Sequence, residues 1–341
     1  MKQIDPRASA YPANTQKAPL EKSGGAFCFR PSTRTLSFCP RVAGEVRPEG
    51  GKGAIPMRVF DFDHAIVREP GRSVVNGLRS DRSAVPSYEG ILREHRVYVA
   101  ALRAAGLEVD VLPPLEAFPD SIFVEDPALV FPEGAILLSP GAPSRLGERD
   151  EMRGVLRRHF GCVLELEPDE FADGGDVLVT TQTVFIGLSK RTSRAGAEAL
   201  CAKLAELGRS ARIAETPGTI LHFKTASALL GEDTGVATKA MAQSGTFADF
   251  QVLPTPDGEE GAANLLRVND VVLIGDCYPR TAEMLARRGF NVRPLPVGEV
   301  AKLDAGLSCM SLRWQSGSGS SANPGLSLSP ADTKLRRVRP P

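Results

Sequence analysis

Val184-Phe185-Ile186-Gly187 leads into Arg191-Thr192 and then a helical pattern, and Val272-Leu273-Ile274-Gly275 leads into Arg280-Thr281 and another. Each apolar tetrapeptide ends on a glycine and reads as a short strand running into a turn. The helical stretches that follow are "RAGAEALCAKLAELG" and "RTAEMLARRG", and a second short apolar run, "DVLVTT" or "LLRVN", precedes each unit. Two segments that share this order and these residues form an internal repeat.

The same order extends outward. "RVFDFDHAIV" (58–67) is strand-like, "YEGILREHRVYVAALRAAG" (88–106) helical and "LEVDVLP" (107–113) strand-like. "SIFVEDPALVF" and "GAILLSP" are paired apolar runs before the helical "RDEMRGVLRRHF", and a further unit is read by pattern around "HFKTASALLGEDTGVATKAM" (222–241). Repeated strand-strand-helix-strand modules that each leave an apolar face exposed should close around an axis to bury it. Loops then gather at one end, and a central site draws residues from several modules. The expected class is α/β.

Composition narrows the function. Lys plus Arg (41) equals Asp plus Glu (41), so no global basic field exists to hold a phosphate backbone, and nucleic acid is a poor partner. No apolar run reaches the roughly 18–20 residues that cross a bilayer, and the start lacks the apolar core of a secretory signal. A soluble, cytoplasmic protein without membrane partners is expected. The six cysteines, Cys28, Cys39, Cys162, Cys201, Cys277 and Cys309, are scattered with no C-x-x-C pair, which argues against a disulfide framework or a structural zinc. Residues 1–56 are Pro-, Gly- and Ser-rich with little apolar pattern and are expected to be a disordered extension, weakly similar to an organelle transit sequence. Residues 57–314 form the expected folded unit, and 315–341 a low-complexity tail.

Within that unit, Cys309 lies in "LDAGLSCMSLRW", where Gly306 permits a turn before a strand-like run. A cysteine alone more often packs as a small hydrophobe. His222, in "TILHFKTASALL", is the best placed of four histidines to act as acid and base, although a satisfied core histidine fits the spacing as well. Acidic groups cluster as Asp120, Glu125 and Asp126 in "FPDSIFVEDP", Asp173 and Asp176 in "FADGGDVLV", and Asp304 in "KLDAG". Strand alternation would put Phe123 and Glu125 on one face, which suits a cation. Gly174 and Gly175 would let the backbone approach closely and deliver Asp173 into a cavity. No calcium-loop pattern occurs.

Together "FPDSIFVEDPALV", "FADGGDVL", "IGLSKRT", "LHFKTASALL", "IGDCYPRT" and "LDAGLSCMSLRW" resemble the dimethylargininases of the pentein superfamily, over essentially all of 57–314. The resemblance implies a five-bladed α/β propeller that hydrolyses Nω,Nω-dimethyl-L-arginine, or the monomethyl compound, to L-citrulline and a methylamine. It implies Cys309 as nucleophile, His222 as general acid and base, and Asp173 as the carboxylate orienting that histidine; some relatives have Glu there. Asp120 and Asp126 would grip the guanidinium, with Phe123 and Glu125 lining the same pocket. Arg145 and Arg191 would hold the α-carboxylate, Leu78 would lie on a mobile lid, and the backbone at Leu303 would meet the amino group. No cofactor or metal is implied; the partner is a small methylated arginine, and a homodimer stays open.

Arginine deiminase is the nearest rival, but its usual His-x-Asp is replaced here by His222-Phe223-Lys224, which favours alkylated substrates. A non-catalytic binder of arginine-like ligands is the alternative from another class. Gly235 stands where an apolar strand former is expected, at a local cost of about 1 kcal/mol.

Overall fold

The computed structural model describes residues 59–218 and 220–316; most of the expected N-terminal extension and C-terminal tail lie outside them. The described chain forms five three-stranded sheets. The first module holds β1 (His64–Arg68), α1 (Tyr88–Ala104) and β2 (Glu108–Leu112). The second is β3 (Ala128–Phe131), β4 (Gly134–Leu137), α2 (Glu148–His159) and β5 (Val163–Glu165). The third is β6 (Val177–Val179), β7 (Val184–Leu188), α3 (Arg194–Glu206) and β8 (Ala211–Glu215). The fourth is β9 (Ser227–Leu229), β10 (Thr234–Ala237), α4 (Lys239–Ala242) and β11 (Gln251–Pro254). The fifth is β12 (Leu266–Val268), β13 (Val271–Gly275), α5 (Pro279–Ala286) and β14 (Asn291–Leu295), and β15 (Leu312–Trp314) follows.

In modules two to five the first strand runs antiparallel to the second, and a helical crossover returns the third parallel to it. The first module borrows its missing strand from the end of the chain: β15 pairs antiparallel with β1, His64 opposite Trp314, and closes the ring. This is the expected α/β propeller with five blades.

Burial explains why each strand has its composition. Middle strands such as "GAIL" in β4 are buried on both faces and are accordingly apolar throughout, whereas the third strands, such as "ARIAE" in β8, are half exposed and mixed. The first strands β3, β6, β9, β12 and β15 all line one axial cavity of about 180 Å³. Ser87 and Ser193 cap α1 and α3 by accepting from the backbone N–H of Gly90 and Gly196, so serine-led helices start where the chain leaves the blade. No helix among the described residues is long and apolar enough to cross a membrane.

Two expectations change. The run Ser121–Asp126 is a chain of turns rather than a strand, with Phe123 N donating to Asp120 O, and β3 begins only at Ala128. Pro119 and Pro127 bracket it, and proline cannot donate to a ladder. Among the described residues the first strand likewise starts at His64 and not at 59, and the Phe62 N–H is taken by the Asn269 side chain at 2.8 Å; residue 58 lies outside the described residues. At the other end Ser316 N donates to Asp63 at 2.8 Å, two residues beyond the expected boundary at 314.

Candidate active site

Antiparallel pairing decides where the chemistry gathers. Because Ala128 faces Leu137, Val177 faces Ile186, Ser227 faces Ala237, Leu266 faces Leu273 and Leu312 faces Ile66, the loop leading into each first strand lies beside the loop leaving the middle strand. Every expected site residue sits in one of these loops or in a connection joining them. Asp126 precedes β3, Asp173 precedes β6, His222 precedes β9 and Cys309 precedes β15. Leu78, Arg145 and Arg191 follow the middle strands β1, β4 and β7, Asp120, Phe123 and Glu125 belong to the β2–β3 connection, and Leu303 lies between β14 and β15.

Asp173 opens the 3-10 turn Gly174–Asp176 and His222 opens the turn Phe223–Thr225. Their side chains meet at 3.0 Å between His222 Nε2 and Asp173 Oδ2, while Asp173 Oδ1 accepts from Gly141 N at 2.7 Å. Gly175 makes this approach feasible: a Cβ there would fall 2.9 Å from His222 Cγ and from Asp126 Oδ1. Burial alone would depress the His222 pKa, but Asp126, the Asp173 bond and Asp176 raise it to about 9. Asp176 ties the loops together. It accepts from Ser189 and Thr192 hydroxyls at 2.6 Å and from Phe223 N at 2.8 Å, next to Arg191 and His222 respectively.

Cys309 is half-buried in the turn Ser308–Met310, and its carbonyl accepts from Glu125 N at 3.2 Å. Burial, then the Glu125 and Asp126 carboxylates, push its thiol up to about 11. Asp126 is buried, yet Arg145 beside it, the nearby imidazole and the Gly175 N–H bond at 3.0 Å hold it below the ordinary carboxylate range. Asp120 goes the other way: burial raises it, against Arg145 and the Leu78 N–H that it accepts at 2.9 Å.

The two expected arginines are placed unequally. Arg145, 4 % exposed, spends its donors on Glu148, on Asp126 and on the carbonyls of Asp120 and Phe123. Arg191 is partly exposed, with Nη1 3.9 Å from Asp173 Oδ2. Phe123 and Glu125 do not share a face. Phe123 joins the apolar cluster that contains Leu303 and borders Cys309, whereas Glu125 is paired with Lys224 at 2.6 Å and Arg313 at 3.4 Å. Glu125, Lys224 and Ser308 also line the axial cavity; Cys309, His222 and Asp173 do not.

The segment carrying Leu78 is tethered at both ends. The Arg72 and Ser73 amides donate to Glu116, and Ser80 binds the Asp304 carboxylate through N at 2.5 Å and Oγ at 2.9 Å. Sequence reasoning missed Asn264, whose amide contacts Cys309, and Glu148, which braces Arg145. Asn264 could have been found as the polar residue in the fifth repeat at the place Asp126 holds in the second. Ligand atoms of Asp126, Asp173 and His222 converge within 4.8 Å, a spacing a metal ion could use. Their oxygens are already engaged by Arg145, Gly175, Gly141 and the imidazole, so an ion would have to displace those donors. Cys201, Cys277 and Cys309 are free thiols, and Cys162 is paired.

A family model described as N,N dimethylarginine dimethylhydrolase, eukaryotic, matches residues 78–243. The N(G),N(G)-dimethylarginine dimethylaminohydrolase of Pseudomonas aeruginosa is 37 % identical over 254 residues, covering 74 % of this chain and all of that one. The enzyme of the same name from Streptomyces coelicolor is 34 % identical, covering 73 % of this chain and 96 % of its own. The Pseudomonas protein, as a cysteine-to-serine variant complexed with citrulline, superposes with a TM-score of 0.72 over 74 % of this chain and 100 % of that one. The N-terminal domain of the cyanobacterial arginine dihydrolase ArgZ shares the fold at 18 % identity, with a TM-score of 0.64 over 73 % of this chain and 96 % of that one.

Proposed function

The chain belongs to the dimethylarginine dimethylaminohydrolase family, and on that premise we propose that it hydrolyses Nω,Nω-dimethyl-L-arginine and Nω-monomethyl-L-arginine to L-citrulline and dimethylamine or methylamine. The observation that carries this reading is Asp126. It is packed against the His222 ring, the place of a Gly175 Cβ being 2.9 Å from both, and it adjoins Glu125, whose N–H donates to the Cys309 carbonyl, so one buried carboxylate neighbours both the proposed base and the loop of the proposed nucleophile.

A guanidinium carbon is a poor electrophile while its charge is delocalised, so carboxylates must orient it and stabilise the cation as sulfur approaches. Asp120 and Asp126 are suited to that, with Phe123 and Glu125 on the flanks. Arg191 has an incompletely engaged guanidinium for the α-carboxylate. Arg145 would add only the Nη1 hydrogen not used on Asp126. The Leu303 backbone would meet the amino group, and Leu78 would cover the bound substrate.

Binding itself activates the thiol. Burial, and after it Glu125 and Asp126, hold Cys309 at about 11; the substrate cation pairs with the Asp126 charge, which lowers the cost of releasing the thiol proton to solvent. The thiolate adds to the guanidinium carbon. His222, protonated at neutral pH because its pKa is about 9, gives its proton to the departing nitrogen, and the C–N bond breaks to leave a thiouronium on Cys309. Neutral His222 then takes a proton from water as its oxygen bonds to the same carbon. The adduct passes its hydroxyl proton to solvent, where the released amine takes up a proton, and the C–S bond breaks, giving citrulline, the ammonium form of the amine and the thiolate. Asp173 holds the imidazole throughout.

Incubation with asymmetric dimethylarginine and, separately, with arginine, measuring citrulline and dimethylamine, tests this. Citrulline from dimethylarginine is expected. Citrulline from arginine alone would make the protein a deiminase, and binding of both without product would make it a binder.

A further inference from the structure

We infer that Asn264 is a catalytic residue: its side-chain amide donates a hydrogen bond to the Cys309 thiolate and fixes where that sulfur stands. This rests on Cys309 being the nucleophile, as proposed above. Four of the five loops leading into first strands bring Asp126, Asp173, His222 and Cys309 to the site. The fifth, which leads into β12, brings Asn264 from the end of the turn Glu260–Ala263.

Asn264 Nδ2 lies 3.6 Å from Cys309 Sγ, within reach of a donor to sulfur. Its orientation is forced. Oδ1 faces Ser308 N at 3.3 Å and Ser308 Oγ at 2.9 Å; a backbone N–H can only donate, so the oxygen must turn to Ser308 and the amide hydrogens to the sulfur. Gly306 makes room, since a Cβ there would fall 2.5 Å from Asn264 Cγ. The side chain is 8 % exposed, so water competes little for the bond.

Chemistry explains why an amide suits this place. Burial, and after it Glu125 and Asp126, oppose ionisation of the thiol, and a donor to the sulfur offsets them in part. A lysine or arginine would do so, but it would also repel a cationic guanidinium bound over the same sulfur. An amide stabilises the thiolate through its dipole and adds no further positive charge to a site where Lys224, Arg313 and Arg145 already pair with its carboxylates. The groups facing Cys309 are then Glu125, Asp126, Ser308, Asn264 and the Gly306 N–H, which also favours the thiolate.

The test compares the whole protein with Asn264→Ala and Asn264→Ser, both uncharged; the alanine removes the donor to sulfur and the acceptor for Ser308, and the serine keeps a shorter hydroxyl. The rate of Cys309 alkylation by iodoacetamide is followed against pH without substrate, with the site identified by peptide mass; kcat and KM for dimethylarginine are measured alongside. A hydrogen bond to a charged group predicts that the alkylation midpoint rises by about one pH unit in Asn264→Ala. It also predicts that kcat falls about ten-fold while KM changes less than about two-fold, with Asn264→Ser in between. Circular dichroism reports folding, and if the alanine variant is unfolded the serine variant decides. Midpoints that coincide with the parent's overturn the inference. A parent that makes no citrulline defeats the proposed function instead, while the alkylation comparison still decides Asn264.

Discussion

Lys224 Nζ stands 2.6 Å from Glu125 Oε1, where the axial cavity meets the loop that carries Cys309. Both side chains are largely buried, so neither can turn to water if the other is removed. Lys224→Met is therefore expected to cost about 2–4 kcal/mol in urea unfolding, less than a fully orphaned charge because Arg313 still reaches Glu125. The double variant with Glu125→Gln should recover part of that loss. A single variant as stable as the parent would show that the pair contributes nothing.

His222 gives a pH signature. Its folded pKa of about 9 lies above the ordinary 6.5, so its stabilising contribution is present below 6.5 and disappears as pH rises through 9. Asp173, Asp126 and Asp176 face the imidazole, with Arg191 beyond Asp173. Asp173→Asn removes both a hydrogen bond and a charge, so the imidazole should lose its proton at lower pH. The alkaline limb of kcat should shift to lower pH, and the imidazole NMR titration with it. The parent should also lose about 2.5 kcal/mol between pH 7 and 10, and the variant less, because Asp126 and Asp176 still raise its imidazole.

Ser80 and Asp304 form the latch of the segment that carries Leu78. Asp304 adopts φ 55°, a conformation asparagine tolerates, so Asp304→Asn probes the latch without adding backbone strain. KM should rise several-fold with a smaller change in kcat, and amide exchange at Leu78 and Ser80 should accelerate. Unchanged exchange would remove the latch from the account.

Gly175→Ala tests close approach. The new methyl would lie 2.9 Å from both His222 and Asp126, so one of them must move. Because catalytic geometry is sensitive to displacements of about 1 Å, kcat should drop roughly a hundred-fold or more while circular dichroism stays native. Full activity would mean that the imidazole does not need its present seat.

How much could be read beforehand depended on whether a feature was local or cooperative. The blades were legible because Val184–Gly187 and Val272–Gly275 repeat both a pattern and a topology. The strand across Ser121–Asp126 was misread because alternation survives in a sequence even when two prolines prevent a ladder. The distribution of Arg145 donors was invisible, since it depends on Glu148, Asp126 and two carbonyls meeting in one buried place. Asn264 was overlooked because a neutral amide has no motif of its own. Gly235 reads as a weak point in β10, yet a Cβ there would press within 3.1 Å of the Ala228 carbonyl. Gly235→Val should therefore melt no higher than the parent in calorimetry, the reverse of what strand propensity suggests.

β15, the strand that closes the ring, follows Cys309 by three residues, and its partner β1 is among the first parts of the fold to be made. During synthesis the four internal blades can assemble around their carboxylates and imidazole before Cys309 joins them. The last segment thus arms the protein at the moment it fastens the circle. With Cys309 as the proposed nucleophile, a nascent chain that lacks β15 is expected to turn over no arginine derivative, and the appearance of turnover would time ring closure.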